Sequence, residues 1–226
     1  MDMSNVKTIF DNNVQKNVKK IADASGNILW YKVPSGYRKV EYLESSGTQY
    51  IDSGVEAKYS VGIHTKFQCL SVVNAALCGT INNITTGYNS RHHLSPHNGQ
   101  VGYWYVKNSN INTSTIRDSI DITAINTFYF NPATGVYKVN NSTGSFTALQ
   151  GTAGSNYGIF GRLSSSLDMQ SRPVRIYWFI MMDNNTVVRH FIPVIRTADS
   201  KPGMYDLVND VFYTNAGTGE FTYGGG

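Results

Sequence analysis

The sequence has few charged residues, and glutamate is the scarcest of them. Only 15% of the 226 residues are Asp, Glu, Lys or Arg, well under the usual quarter. A sandwich-fold glycosidase needs two carboxylates that face the same sugar. Glu41 and Glu44 are three residues apart, so on a strand they point to opposite faces, and Glu56 and Glu220 stand alone. The shortage of paired carboxylates therefore argues against a hydrolase.

Metal and nucleophile motifs are also missing. The two cysteines, Cys69 and Cys78, lack CxxC spacing. The segment RHHLSPHNG holds three histidines, but His92 and His93 point oppositely on a strand, so at most one can join His97. No Asp-x-Asp cluster supports calcium, although a jelly-roll fold allows it, and no Gly-x-Ser-x-Gly elbow occurs. We therefore expect no enzyme activity, no catalytic residue, no metal site and no cofactor.

Long apolar runs are absent. No segment approaches the roughly 20 apolar residues of a membrane helix, and the polar first residues do not form a signal peptide. We therefore expect synthesis in a cytoplasm without membrane insertion. The net charge of +4 belongs to residues 1–39, which hold seven bases and three acids. A basic arm that faces solvent or a protein partner is favoured over nucleic-acid binding.

The first 35 residues predict a small β module. VKTIF (6–10) is typical of a strand, and NVKKIADASGNILWYK predicts a hairpin around Ser25-Gly26-Asn27. Such a small sheet is unstable alone, so it must pack on something through Ile28 and Trp30. Pro34 and Gly36 interrupt the pattern. We therefore place a boundary between residues 1–35 and residues 36–226.

Residues 36–226 predict an all-β sandwich. Short alternating segments recur between turn residues, and no segment of helical length has a convincing 3.6-residue period. The alternation in RPVRIYWFIMMD predicts that one face of a strand enters the core. We expect that face to carry Trp178, together with Val174, Ile176, Ile180 and Met182.

Both ends of this region carry a family resemblance. VEYLESSGTQYIDSGV and the closing block with FIPV, GMYDLVNDVFY and GTGEF resemble laminin-G-like, concanavalin A-like jelly-roll modules. These modules occur in phage tail and fibre proteins and in surface proteins of gut bacteria, and the resemblance covers about residues 36–223. The leader NVKKIADASGNILWYK resembles the short segment that precedes the module in phage structural proteins. The implied fold is a concanavalin A-like jelly-roll β-sandwich after a small N-terminal β-hairpin or meander.

The resemblance and the missing chemistry together imply a role in a virion. We expect a non-enzymatic structural protein of a phage tail, fibre or head fibre, assembled as a homo-oligomer. Its N-terminal module would bind other virion proteins through Trp30 and Ile28, with a smaller contribution from Lys19 and Lys20. The alternatives are a decoration protein that binds only virion subunits, a tail-borne polysaccharide depolymerase, and a bacterial surface adhesin.

One hairpin offers a candidate glycan surface. If Pro96–Gly99 form the loop of RHHLSPHNGQVGYWYV, then Ser95 lies opposite Gln100, and Arg91 lies opposite Trp104. Arg91, His93, Gln100 and Trp104 then share one face. The tryptophan would stack on a sugar ring, and the polar side chains would bond its hydroxyls. The alternative is that a loop or a neighbouring subunit covers Trp104.

Overall fold

The computed structural model describes residues 20–24, 26, 28–71, 76–84, 88–97, 100–106, 116–146, 152–164 and 173–225. Every regular element in these ranges is a β-strand. No helix within them is long and apolar enough to cross a membrane. The strand predicted at residues 6–10 and the predicted turn at Asn98-Gly99 lie outside the described residues. The all-β prediction is confirmed.

The strands form one hairpin and two large sheets. The hairpin pairs β1 (Lys20–Ala22) with β2 (Ile28–Tyr31). The larger sheet has eleven strands: β3 (Tyr37–Lys39), β4 (Leu43–Ser45), β6 (Val61–Cys69), β11 (Asn126–Asn131), β12 (Val136–Val139), β13 (Ser142–Ser145), β16 (Val174–Asp183), β17 (Thr186–Arg196), β18 (Lys201–Asp206), β19 (Val211–Tyr213) and β20 (Thr222–Tyr223). The smaller has seven: β5 (Ile51–Lys58), β7 (Cys78–Ile84), β8 (Tyr88–His97), β9 (Gln100–Val106), β10 (Ile116–Ser119), β14 (Thr152–Ile159) and β15 (Gly161–Ser164).

The two sheets enclose one apolar core, as in a jelly-roll sandwich. The larger sheet runs β13-β12-β11-β6-β16-β17-β18-β19, and the smaller runs β10-β9-β8-β7-β14-β5. Side chains from both sheets meet in the same buried cluster, for example Phe67 from the larger and Ile51 from the smaller. Strands from the two ends of the jelly roll also meet, because β20, its last strand, pairs with β4, its second. This closure of the chain within one sheet confirms the jelly-roll prediction.

The prediction that Trp178 belongs to the core is wrong. Val174 and Ile176 are fully buried, as expected, but the buried positions then shift to Phe179 and Met181. Trp178 stays half-buried on the outer face of the larger sheet. The cause is a β-bulge, since the register between β16 and β6 shifts between Ile176 and Trp178. One extra residue reverses the alternation of every side chain beyond it.

The N-terminal hairpin packs on the outer face of the larger sheet. Tyr31 contacts a second apolar cluster that contains Ile192, Val194, Tyr205 and Leu207. The Lys20 ammonium group donates hydrogen bonds to the carbonyl oxygens of Leu207 and Val208. The small hairpin therefore gains its support from the jelly roll itself, as a two-stranded sheet requires. The boundary at residue 35 stays a prediction.

Candidate ligand-binding site

The predicted hairpin surface lies in the middle of the smaller sheet. β8 and β9 pair antiparallel, with His93 opposite Trp104 and His97 opposite Gln100. The pairing differs from the predicted one by two residues, because β8 continues through Pro96 to His97 and the connection shrinks to residues 98–99. A shift of two residues preserves which positions share a face. The site role of Arg91, His93, Gln100 and Trp104 stays a prediction.

The register extends this hairpin into a row across four strands. Gly79 of β7 lies opposite His93, and Arg162 of β15 lies opposite Gly79. Trp104 completes the row on β9. We call these four positions the Arg162 row. The pairing aligns Arg162, which comes from a distant part of the chain, with His93 and Trp104. The sequence alone had placed these last two on one face.

The Arg162 row lies on the outer face of the smaller sheet. Cys78 is fully buried in the core, so the next residue along the strand, Gly79, faces away from the core. Residues opposite one another share a face, which puts the Arg162 side chain on the outer face as well. Arg162 is nevertheless only 4% exposed. A permanently charged guanidinium in so enclosed a position is unusual, since burying a charge is costly.

A sharp corner between β14 and β15 creates the position of Arg162. Phe160 adopts a left-handed backbone with φ of 68°, an outlier for a bulky residue. Its amide donates a hydrogen bond to the Leu77 carbonyl at 2.8 Å, and its ring packs 4.7 Å from that of Phe221. After this corner β15 runs parallel to β7. The Thr80 hydroxyl donates to the Leu163 carbonyl at 3.2 Å and fixes the pairing.

Sequence reasoning missed Arg162. The segment YGIFGR predicts a short strand, but nothing local indicates that it turns at Phe160 and pairs in parallel with β7. The one signal in the sequence was a polar residue, Arg162, directly after Phe160-Gly161, and it indicates this pairing only weakly.

The four residues predicted for attachment are described unequally. Lys19 lies outside the described residues. For Ile28 the structure describes only the backbone, which pairs with Ala22. Trp30 is half-buried and lies opposite Ile21. Lys20 binds the two carbonyl groups of the jelly roll described above. The attachment role of these residues stays a prediction.

Nucleophile and metal chemistry find little support in the described part of the chain. Within it, no group of three or more His, Cys, Asp or Glu side chains is placed to hold a metal ion. Cys69 and Cys78 are both buried as thiols. Burial raises the pKa of the Cys69 thiol to about 12, so this residue stays protonated and is a poor nucleophile.

Two solved structures resemble this chain in fold. One is the carbohydrate-binding module, CBM40, of a Ruminococcus gnavus IT-sialidase bound to α2,3-sialyllactose, with 16% identity, a TM-score of 0.48, and coverage of 67% of this chain and 92% of that one. The other is the mouse laminin α1 chain, domains LG4-5, with 10% identity, a TM-score of 0.42, and coverage of 76% and 46%. No protein-family model and no curated protein sequence matches the chain.

Proposed function

We propose that this protein is a non-catalytic carbohydrate-binding jelly roll whose ligand lies across the Arg162 row. The observation that carries the proposal is the alignment of an enclosed arginine with the positions of His93 and Trp104 across Gly79. Binding sites for small molecules combine apolar surface with a few fixed polar groups. A row of this composition on one face of a rigid sheet has that character.

Each position of the row suits a different part of a sugar. A tryptophan offers a broad apolar ring for the apolar face of a pyranose. The arginine fork donates paired hydrogen bonds to neighbouring hydroxyl or carboxylate oxygens. Gly79 carries no side chain, so the sheet surface is bare between the positions of Arg162 and His93. A ligand lying across the row would therefore approach the backbone at Gly79 and meet different chemistry on either side.

Glycan binding should depend on Trp104. On a glycan array, the full chain is expected to bind a restricted set of glycans, and Trp104→Ala should weaken this binding at least about tenfold, equivalent to 1.4 kcal/mol. Tyr59→Ala is the matched control, because Tyr59 is an aromatic residue that is 49% exposed at another place. Arg162→Lys keeps the charge but loses the fork, and should bind more weakly; because Arg162 is enclosed, some loss of stability is expected too, so binding is measured well below the melting transition of the variant.

Other results would favour a different function. A chain that binds no glycan would favour the decoration protein, which contacts only virion subunits. Reducing ends that appear when the protein is incubated with host capsule would favour the depolymerase. Equal binding by the wild type and by Trp104→Ala would contradict the site.

We propose further that the jelly roll is carried on a phage virion as a homo-oligomer, with residues 1–35 attached to another virion protein. The support is the resemblance of the leader and of both ends of the jelly roll to phage structural proteins. Because Lys20 is engaged within its own chain, the apolar residues of the hairpin remain the stronger candidates for the partner contact. Recovery of the gene among portal, tail-tube or fibre genes would support this setting.

Attachment should depend more on Trp30 than on Lys19. Trp30→Ala is expected to prevent incorporation into assembled particles, because apolar burial dominates over exposed ion pairs, which contribute at most about 1 kcal/mol each. Lys19→Ala should only slow incorporation. Quantitative mass spectrometry of purified particles measures both. The reverse result, with Lys19→Ala blocking and Trp30→Ala incorporating normally, would show that the leader is an electrostatic tether.

A further inference from the structure

A cleft lies on the opposite side of the sandwich from the Arg162 row, on the outer face of the larger sheet. Its volume is about 580 Å³, within the range of small-molecule sites. It lies over β6, β11 and β12, and its lining residues are His64, Thr127, Tyr129, Thr134, Val136, Lys138 and Asn140. We call it the His64 cleft. Because the two sheets face in opposite directions, a ligand in this cleft cannot contact the Arg162 row.

Aromatic rings form one side of the His64 cleft. The His64 ring lies edge-to-face between two larger rings, 4.5 Å from Trp178 and 5.4 Å from Tyr129 between centroids. The bulge in β16 is what brings Trp178 to this face. Asn131 donates a hydrogen bond to the Tyr129 hydroxyl at 2.9 Å, which fixes the Tyr129 ring. His64 and Tyr129 line the cleft and are half-buried, so each keeps part of its surface open to a ligand, whereas Trp178 packs on His64 from behind.

The charge of the His64 cleft is positive. Lys138 lies directly opposite Tyr129 in the pairing of β11 and β12, and its side chain is exposed. No carboxylate is among the lining residues in the described part of the chain. Burial, and secondarily the nearby Lys138 charge, lowers the pKa of His64 to about 4. At neutral pH the imidazole is therefore uncharged and can accept or donate one hydrogen bond.

Hydroxyl-bonding groups complete the cleft. Thr127 lies two residues before Tyr129 on the same face of β11, and Thr134 lies in the turn between β11 and β12. Asn140 is already engaged, because its side chain accepts from the Thr127 amide at 2.8 Å and donates to Asn126 at 2.9 Å. Asn140 therefore shapes the wall. The Thr134 hydroxyl also donates within the chain, to the Asn131 carbonyl at 3.3 Å, so Lys138 and Thr127 are the groups that offer donors to a ligand.

We propose that the His64 cleft is a second ligand site and that it binds a sugar bearing a carboxylate. The Lys138 ammonium group pairs with the carboxylate, the sugar ring stacks on Tyr129, and Thr127 and His64 bond the hydroxyls. The unopposed positive charge selects the acid over a neutral sugar of the same shape. A compact ammonium group suits one carboxylate at an open rim.

Fluorine NMR of the full chain labelled with 5-fluorotryptophan tests this site. The chain has three tryptophans, Trp30, Trp104 and Trp178, which report on the hairpin, the Arg162 row and the His64 cleft respectively. Tryptophan-to-phenylalanine variants assign the three signals. The probes are the methyl glycosides of glucuronic acid, galacturonic acid and N-acetylneuraminic acid, each with its closest neutral counterpart, and acetate as a plain anion.

The expected result is a shift of the Trp178 signal by at least one acidic sugar, with its neutral counterpart binding at least about 5-fold more weakly. Lys138→Met should remove this preference, because it deletes the charge and keeps the length of the side chain. Lys201→Met is the matched control, since Lys201 is an exposed lysine at the far edge of the same sheet, and it should change nothing.

Three outcomes would overturn the proposal: no shift of the Trp178 signal by any probe, equal binding of acidic and neutral sugars, or a shift by acetate as strong as by the sugars. A response confined to the Trp104 signal would also overturn it while leaving the proposed function intact. Conversely, a response confined to Trp178 would support the His64 cleft and count against the Arg162 row.

Discussion

Replacing Phe179 with alanine is expected to lower the free energy of unfolding by about 3–5 kcal/mol, the usual cost of deleting a buried phenylalanine ring. Phe179 is fully buried in the core between the two sheets. Replacing its neighbour Trp178 should cost about 1 kcal/mol, because a half-buried ring loses only part of its burial. The larger side chain therefore gives the smaller effect.

Urea denaturation monitored by circular dichroism measures both variants. Phe191→Ala is the matched control, since Phe191 is the buried partner of Phe179 on β17 and should cost a similar amount. A Trp178→Ala variant that loses as much stability as Phe179→Ala would show that β16 continues its alternation without the bulge.

The fold is also expected to lose stability in mild acid, between pH 6.5 and about 4. His190 is 9% exposed, and its Nδ1 atom has no hydrogen-bond partner among the residues that the structure describes. Burial lowers the pKa of His190 and the pKa of His64 to about 4. Asp206 opposes this shift for His190, whereas His64 and Lys39 add to it. Tyr31 covers His190 from the hairpin, with ring centroids 6.4 Å apart.

The direction of this pH dependence follows from proton binding to the two histidines. In the unfolded chain each histidine gains a proton as the pH falls through about 6.5, whereas in the folded chain it stays neutral until about pH 4. Between these values the unfolded state binds more protons, so stability falls with the pH. At 1.36 kcal/mol per pKa unit, each histidine accounts for about 3 kcal/mol at most. Above about pH 7.5, where the unfolded histidines are neutral too, neither residue should affect the slope.

Denaturation curves at pH 7.5, 6, 5 and 4.2 test this dependence. The carboxylates of Asp183 and Asp199 have pKa values below their ordinary range, so their effects fall below this window. His64→Asn and His190→Asn should each flatten the dependence, and the double variant should nearly remove it. A double variant with the wild-type slope would refute the assignment to these two residues.

The sequence predicted the elements whose signals are local. Asn184-Asn185 lies between two apolar runs and predicts a turn, and both residues lie in the left-handed region there. Asn209-Asp210 predicts a tight hairpin in the same way, and the structure has it between β18 and β19. Asparagine and aspartate tolerate this backbone conformation, so their positions mark the turns reliably. The pairing of β4 with β20 joins the two end segments that carry the family resemblance.

The bulge could not be predicted, because β16 is apolar on both faces. Tyr177, Trp178 and Phe179 are three aromatic residues in succession, so the sequence contains no polar residue there to reveal the reversal. The candidate site also divides into residues whose placement has a local sequence signal and residues whose placement does not. His93 and Trp104 were placed together by alternation within one hairpin, whereas Arg162 reaches them through a corner and a parallel pairing some 60 residues away along the chain.

The two hydrogen bonds of Lys20 impose an order on folding during synthesis. Their acceptors, the carbonyls of Leu207 and Val208, lie 187 and 188 residues further along the chain. At a translation rate of 5–20 residues per second, the hairpin waits about 10–40 s for the surface that supports it. A two-stranded hairpin is only marginally stable by itself. The N-terminal hairpin is therefore synthesised early but docks on the jelly roll late. During that interval Trp30 is open to a chaperone or to a neighbouring nascent chain.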